Sequence, residues 1–259
     1  MNKVGSKGGD IPLLILGGSS EAITLARTLN SHCDFRNKFH IITSLAGRTG
    51  APRHPPGMVR IGGFGGVHGL ARFLREENIT LMVDATHPYA CRISRNGAVA
   101  CRLCHISRLH LQRPPWQQVT GDAWQRVPTM VAAADTLPSG ARAFLAIGRQ
   151  EIKAFAGRDD IDLMVRTVDP LGVSHLTPRC TFITGRGPFC VADEQALLEA
   201  HNITHLVCRN SGGAGSYAKL EAARTLGIPV IMVDRPPPPP SPRIASVEDA
   251  LRCIRRLVA

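Results

Sequence analysis

The stretch Pro12 to Leu29, P-L-L-I-L-G-G-S-S-E-A-I-T-L-A-R-T-L, constrains the fold more than any other part of the chain. Leu13 to Leu16 is a short, wholly apolar run, the pattern of a parallel strand buried on both faces. Gly17 and Gly18 end it, and Ser19 or Ser20 then offers a side-chain oxygen to cap a helix. Ile23, Ala26 and Leu29 follow at helical spacing. A strand, a glycine turn and a helix start gather unpaired N–H groups and the positive end of the helix dipole at one point, which suits a phosphate. The dinucleotide fingerprint G-x-G-x-x-G is absent, because the chain has G-G-S-S-E. An ordinary tight strand-to-helix connection is therefore the alternative.

At 259 residues the chain has room for one large α/β domain or two of about 120 residues. Its net charge of +11 and pI near 9.8 attract anions. The charge is mostly arginine and dispersed, with no run of five, and aromatic residues make up only 5%. That pattern argues against a nucleic-acid stacking platform and against a polybasic tail, and favours small anionic ligands. The first residues, M-N-K-V-G-S-K-G-G-D, lack the apolar core of a signal peptide, and no stretch approaches a membrane span. The expectation is a cytoplasmic protein without membrane contact or a metal site, its eight cysteines reduced. Cys101-Arg102-Leu103-Cys104-His105 matches the C-x-x-C-H of covalent haem attachment, but such attachment belongs to exported proteins. The segment reads instead as the end of a helix with cysteine as a small apolar residue.

Along the first half, His40 to Ser44 reads as a second strand leading into Leu45-Ala46-Gly47-Arg48-Thr49. An acidic residue at that strand end suits a free ribose 2′-OH and an arginine suits a 2′-phosphate, so Arg48 points to NADPH; a solvated loop arginine is the alternative. Met58 to Ile61, then Gly62-Gly63-Phe64-Gly65-Gly66, a helix from about Val67 to Glu77 and a strand from Leu81 to Val83 follow. That strand runs into Asp84-Ala85-Thr86-His87-Pro88-Tyr89-Ala90, rich in polar groups where open α/β sheets bind ligands. A helix from Ala90 to Cys104 and a strand from Leu109 to Gln112 end at Arg113-Pro114-Pro115-Trp116, which reads as a domain boundary.

The second half repeats the plan, with strands at 143–147, 163–167, 181–184, 204–208 and 229–233, and helices at 192–201 and 218–226. Pro236 to Pro240 read as a stiff spacer before a last helix capped by Ser246. Asn78-Ile79-Thr80 and Asn202-Ile203-Thr204 precede equivalent strands. At a constant offset of 122, Ala100, Arg102, Ile106, Arg113 and Pro114 match Ala222, Arg224, Ile228, Arg235 and Pro236. The loop Asp84–Tyr89 then corresponds to Asn210–Tyr217. The expected architecture is α/β, with two similar parallel-sheet halves, residues 1–114 and 115–259, facing a central cleft.

The words L-G-G-S-S-E-A, S-L-A-G-R-T, G-G-F-G-G, D-A-T-H-P-Y-A, R-P-P-W, I-G-R-Q-E, G-R-G-P-F and N-S-G-G-A-G-S-Y-A-K-L-E-A-A-R occur in this order. With them the chain resembles the precorrin-6A reductase family along nearly its whole length. The resemblance implies two Rossmann-like halves and NADPH-dependent reduction of one double bond of a precorrin macrocycle in cobalamin biosynthesis, with or without cobalt. It also implies an anionic tetrapyrrole as the partner, with no nucleic acid and no membrane, and leaves room for transient contact with neighbouring pathway enzymes. His105-Ile106-Ser107 departs from a G-I-P-like turn, and Arg209 stands where lysine is common before N-S-G-G. Another NADPH-dependent oxidoreductase of an anionic substrate, or a non-catalytic tetrapyrrole-binding protein, are the alternatives.

The residues suit that reaction. The cofactor candidates are Gly17, Gly18, Ser19, Ser20, Ser44 and Arg48. Arg149 and Arg186 each follow a glycine at a strand end, where the planar guanidinium suits bidentate carboxylate binding; a structural role is the alternative. Asn210, Ser211, Gly212 and Gly213 follow another strand end, and backbone N–H groups there suit a further carboxylate. His87 and Tyr89 are candidate proton donors and Lys219 a candidate to polarise or bind; His87 before a proline is equally a turn-shaping residue, and a solvent proton also serves. Gly213-Ala214-Gly215-Ser216-Tyr217-Ala218 fits G-x-G-x-x-A, with Asp234 some 20 residues on. By motif alone the cofactor would go to the second half; Arg48 keeps the expectation in the first.

Overall fold

The computed structural model describes residue 9 and residues 11–47, 54–170, 179–240 and 242–257. The chain forms two compact units, Met1–Arg113 with Pro237–Ala259, and Pro114–Pro236.

The first unit runs β1 (Ile11–Leu16), α1 (Ser20–Ser31), α2 (Cys33–Arg36), β2 (Phe39–Leu45), β3 (Met58–Ile61), α3 (Gly66–Glu76), β4 (Leu81–Asp84), α4 (Cys91–Leu103) and β5 (Ser107–Leu111). The second runs β6 (Trp124–Val127), α5 (Met130–Thr136), β7 (Arg142–Ala146), a 3-10 helix (Arg149–Phe155), β8 (Asp162–Thr167), β9 (Cys180–Thr184), α6 (Val191–Ala200), β10 (His205–Arg209), a 3-10 turn (Ala214–Ser216), α7 (Ala218–Thr225) and β11 (Val230–Val233). The chain then returns to the first unit with β12 (Arg243–Ile244) and α8 (Val247–Leu257).

The two sheets are ordered β12-β5-β4-β1-β2-β3 and β6-β11-β10-β7-β8-β9, and their strand pairs are parallel. Numbered within its unit, the first sheet has the Rossmann order 3-2-1-4-5-6; the second has the same spatial order only when β7 is counted as its first strand and the edge strand β6, which comes first in the chain, is counted last. The central strand β1 is wholly apolar because helices cover both faces of its sheet. On one face of the first sheet, α1 buries Leu25 and Leu29 against Leu13, Ile15 and Val83. Each such leucine contributes about 2 kcal/mol. The other face packs Leu14, Leu16 and Met82 against Leu70, Leu74 and Cys101 of α3 and α4.

The internal echo is a repeated piece of backbone. Asn78 and Asn202 both sit at φ +49. After each, an isoleucine N–H closes the helix end: Ile79 donates to Leu74 O at 2.8 Å and Ile203 to Leu198 O at 2.9 Å. Thr80 and Thr204 then donate from both N–H and hydroxyl to the start of the neighbouring strand, at Pro12 O and Arg142 O. Asparagine tolerates this left-handed helix ending better than other non-glycine residues.

Two features depart from the sequence expectation. Residues 237–259 do not complete the second half: β12 pairs with β5 through Arg243↔His110 and Ile244↔Leu111, so that unit ends at Pro236. The proline run, which has no N–H groups to pair, carries the chain between the sheets. Strand β6 and helix α5 lie in a stretch that the pattern left unassigned. β6 is a four-residue edge strand with two exposed polar side chains, too short to show alternation.

Candidate functional site

At the carboxyl end of β1, the Gly17 N–H donates to Ser44 O at 2.9 Å, extending the β1–β2 ladder by one bond. A Cβ on Gly17 would lie 2.9 Å from the Leu45 side chain. Gly18 has φ +127, and a Cβ there would find only the His87 nitrogen, 3.9 Å away. The turn is thus closed beneath and open above. Ser19 caps α1: its hydroxyl accepts from Ala22 N–H at 3.2 Å and donates to Ala85 O at 2.7 Å, tying the first and fourth strand ends together. Ser20 donates to Glu21, and Arg113 donates to Glu21 at 2.7 Å, which offsets a carboxylate placed at the helix N-terminus. Burial raises the Glu21 pKa, but its own backbone N–H and Arg113 outweigh that and hold it below the usual carboxylate range.

Ser44 is buried at the end of β2, opposite Leu16 and Arg60. Arg48 lies outside the described residues. One strand further, Arg60 donates to Gly62 O at 2.6 Å and Gly63 O at 2.8 Å, and its guanidinium lies 3.9 Å from the centre of the Phe64 ring. Arg60 braces the glycine cluster, whose Gly62, Gly63, Gly65 and Gly66 have open space where a Cβ would stand.

The loop after β4 rests on a buried ionic cluster. Asp84 is fully buried, and its Oδ1 accepts from the Thr86 hydroxyl at 2.8 Å and Thr86 N–H at 3.3 Å. Its Oδ2 accepts from Arg108 at 2.9 Å and from the Ser94 hydroxyl. Burial raises the Asp84 pKa, and Ser94, His110 and Arg108 together outweigh it and hold the carboxyl ionised. His110 is buried beside it on β5 and its pKa is lowered, chiefly by burial. Beyond Thr86, His87 Nδ1 accepts from Tyr89 N–H at 3.4 Å, and the two rings are 5.8 Å apart. With Nδ1 accepting, the neutral imidazole carries its proton on Nε2, as a proton donor requires. The same bond makes His87 a turn former.

In the second unit, Arg149 is exposed at the carboxyl end of β7. Arg186, one-third exposed after β9, lies 3.9 Å from Asp169. Asn210 is buried and does not face solvent: its amide accepts from Trp116 N–H at 2.7 Å and donates to Trp116 O at 3.0 Å. Arg235 donates to Asn210 O at 2.7 Å, Ser211 O at 2.9 Å and Pro114 O at 3.1 Å. Gly212 has φ +67, and a Cβ would fall 2.1 Å from Pro114 O. The Trp116 indole donates to Gly213 O at 2.8 Å. Lys219 is buried, with its ammonium on Ser216 O and 4.8 Å from the Trp116 ring centre, and burial lowers its pKa. A Cβ on Gly187 would lie 2.8 Å from Gly215 O, so the loops after β9 and β10 abut.

The structure gathers Gly17, Gly18, Ser19, Ser20, Ser44, His87 and Tyr89 at the carboxyl ends of β1, β2 and β4, and Arg149, Arg186, Asn210, Ser211, Gly212, Gly213 and Lys219 at those of β7, β9 and β10. Sequence reading missed the braces: Arg60, Ser94, Arg108, His110, Trp116 and Arg235. Arg108 and His110 had a signal, two polar side chains at i and i+2 in S-R-L-H-L, an alternation that points both to one face of a buried strand. The first C-x-x-C cysteine is a core residue: Cys101 Sγ lies 3.7 Å from Met82 Sδ, and burial pushes its thiol up to about 12. Among the described residues there is no cluster of three or more His, Cys, Asp or Glu able to hold a metal, and no helix long and apolar enough to cross a membrane.

The sequence pattern of the family described as precorrin-6x reductase CbiJ/CobK matches residues 12–255. A precorrin-6A reductase of Rhodobacter capsulatus is 42% identical over 240 residues, 92% of this chain and 94% of the relative. One from Rhodococcus erythropolis is 46% identical over 230 residues, 88% and 91% of the two chains. The solved structure of a CobK precorrin-6A reductase, 41% identical, aligns over 95% of this chain and 97% of its own with a TM-score of 0.89.

Proposed function

As the chain belongs to the precorrin-6x reductase family, we propose that its first unit holds the reduced nicotinamide cofactor and its second unit the carboxylates of the macrocycle. The activity is reduction of precorrin-6A in cobalamin biosynthesis. A reduced nicotinamide cofactor supplies the hydride.

The division of labour rests on one observation, the difference between the two first-strand turns. In the first unit Gly18 opens above the N-terminus of a 12-residue helix, where N–H groups and dipole meet a phosphate. In the second, the matching turn enters a 3-10 helix, and Gly213-Ala214-Gly215 follow the fourth strand of the sheet rather than the first. The fingerprint needs the first strand-to-helix turn to work. Arg48, just beyond the end of β2, takes the 2′-phosphate and makes the cofactor NADPH. The cobalt-free macrocycle is the substrate, in keeping with the names of the two relatives above.

Arg149 and Arg186 clamp macrocycle carboxylates, and the Ser211–Gly213 backbone takes another. Asn210 and Lys219 act from beneath, holding Trp116 and Ser216 so that the glycine loop keeps its shape. His87 Nε2 or the Tyr89 hydroxyl delivers the proton to the carbon next to the one that receives hydride. Most of the rate comes from holding donor and acceptor carbons in line.

The test is a pair of binding measurements. Gly18→Ala should weaken NADPH at least 10-fold and leave the KM for precorrin-6A unchanged, since the added methyl stands in the phosphate's place and strains the turn at φ +127. A variant that loses macrocycle affinity and keeps NADPH overturns the division.

A further inference from the structure

Strand pairings around β4 and β10 correspond residue by residue, so one sheet contains an internal control for the other. Asp84 pairs with His110 and, on the other side, with Leu16. Cys208 pairs with Met232 and with Ala146 in the same way. Where Arg108 stands opposite Met82, Val230 stands opposite Leu206. The charged trio Asp84, Arg108 and His110 therefore occupies the positions held in the second unit by Cys208, Val230 and Met232, all buried and apolar, with Cys208 Sγ 3.8 Å from Met232 Sδ.

A sheet of this topology closes with sulfur and hydrocarbon at those three positions. Buried ion pairs are poor stabilisers, because removing both charges from water offsets their attraction. This one is also incompletely satisfied: His110 Nδ1 is buried and has no hydrogen-bond partner among the described residues. The first unit carries a charged cluster that its fold does not require. What the cluster touches, and its apolar counterpart does not, is the loop above. Asp84 Oδ1 takes both the N–H and the hydroxyl of Thr86, and Ala85 O takes the Ser19 hydroxyl. The next residue presents its backbone nitrogen 3.9 Å from where a Gly18 Cβ would stand.

We infer that Asp84, with Arg108, Ser94 and His110 behind it, is a positioning device for the cofactor, fixing the Thr86–His87 backbone beside the Gly17–Ser19 turn. Arg108 and Ser94 hold the carboxylate in one orientation, and the carboxylate holds Thr86. The inference rests on the proposed placement of the cofactor in the first unit. Asp84 is a positioning residue, since it touches neither cofactor nor reacting atoms.

Two variants and a reference test it. The first copies the second unit into the first: Asp84→Cys, Arg108→Val and His110→Met together. The second, Thr86→Val, leaves the ion pair intact and removes only the hydroxyl, with Thr86→Ser as the conservative rescue. NADPH Kd, macrocycle KM, kcat and melting temperature are measured on each full-length protein, with Gly18→Ala as the reference for the cofactor turn. The triple variant should melt at or above the parent temperature and bind NADPH at least 10-fold more weakly. Thr86→Val should weaken NADPH about 3- to 10-fold and lower the melting temperature, because a buried carboxylate oxygen loses a donor, and Thr86→Ser should restore both. If Gly18→Ala weakens NADPH but Thr86→Val does not, the inference fails alone and the cluster is a support of the fold. If none of the three changes NADPH binding, the cofactor is not at this turn and the proposed division fails with it. A triple variant that unfolds while Thr86→Val binds NADPH normally also overturns the inference.

Discussion

The two units share a strand order, yet they use the ends of matching strands in opposite ways. Above the first strand of the first unit, Gly18 faces open space. Above the first strand of the second (β7), a Cβ on Gly148 would stand 3.5 Å from the Arg209 guanidinium, which Glu151 holds at 3.2 Å. At the fourth strand, the first unit braces its loop from below, through charges on the face of the sheet. The second braces its loop from the side, through Trp116 and Arg235 in the segments that lead into and out of the unit. Topology places the loops; the choice of brace decides which of them stays open to a ligand.

The largest effect that would sharpen this contrast comes from two of the glycines with positive φ, Gly18 and Gly212. Gly212→Ala drives a methyl into Pro114 O and the Arg235 guanidinium at φ +67, so it should cost about 3 kcal/mol or more in urea unfolding. Gly18→Ala meets no such wall, but its φ of +127 strains any side chain, so it should cost the strain alone in unfolding and, beyond that, weaken NADPH binding. Equal destabilisation by the two would erase the distinction between a closed and an open turn.

Next come the arginines at the ligand ends. Arg48→Ala should weaken NADPH by about 1.5–3 kcal/mol and leave NADH nearly unchanged. Arg186→Ala should raise the macrocycle KM roughly 10- to 150-fold with little change in NADPH Kd. Asp169, 3.9 Å from Arg186, competes for its charge and draws the effect toward the lower figure. A normal KM with a lower melting temperature would remove Arg186 from the site, and Arg186→Lys should rescue only in part.

A smaller effect tests the cysteines of the first unit. Cys101→Ala with Cys104→Ala should cost about 1 kcal/mol through lost packing on Met82 and leave turnover unchanged. A covalent haem spectrum on the purified parent protein would contradict this assignment.

A pH effect of similar size comes last. The His110 pKa lies below its ordinary value, with burial the main cause; Arg108 and Arg243 act in the same direction and Asp84 against them. The unfolded chain takes up a proton near pH 6.5 that the folded unit resists, so stability is lost as pH falls below that value. One proton contributes at most about 1.4 kcal/mol per pH unit. His110→Met should flatten stability between pH 7 and 5.5 by up to that slope, while His205, whose pKa burial also lowers, is common to both proteins.

What the sequence disclosed, and what it withheld, follows from how each feature is encoded. Runs such as Leu13–Leu16 and the Asn-Ile-Thr repeats are local patterns, and the strands and turns read from them stand in the structure. The loops at strand ends were legible for the same reason, because glycine and polar residues interrupt an apolar run. The braces were not, since Asp84 and Arg108 are 24 residues apart and Asn210 and Trp116 are 94 apart. Lys219 reads in sequence as a charge available to a ligand, and only three-dimensional packing reveals it beneath Trp116. β12 was hidden because a two-residue strand carries no period at all.

That returning strand fixes an order of events during synthesis. β12 and α8 complete the first unit, packing Ile244, Val247 and Ile254 into the same cluster as Leu13 and Leu25. The unit begun first on the ribosome is therefore the one finished last, and its sheet waits with an unpaired β5 edge until the final residues emerge. The second unit is contiguous in sequence and needs none of them. A chain released after Pro236 should hold a folded second unit and an incomplete first one, so such a truncation should disturb the Gly17–Ser19 turn before it disturbs the loops of the second unit.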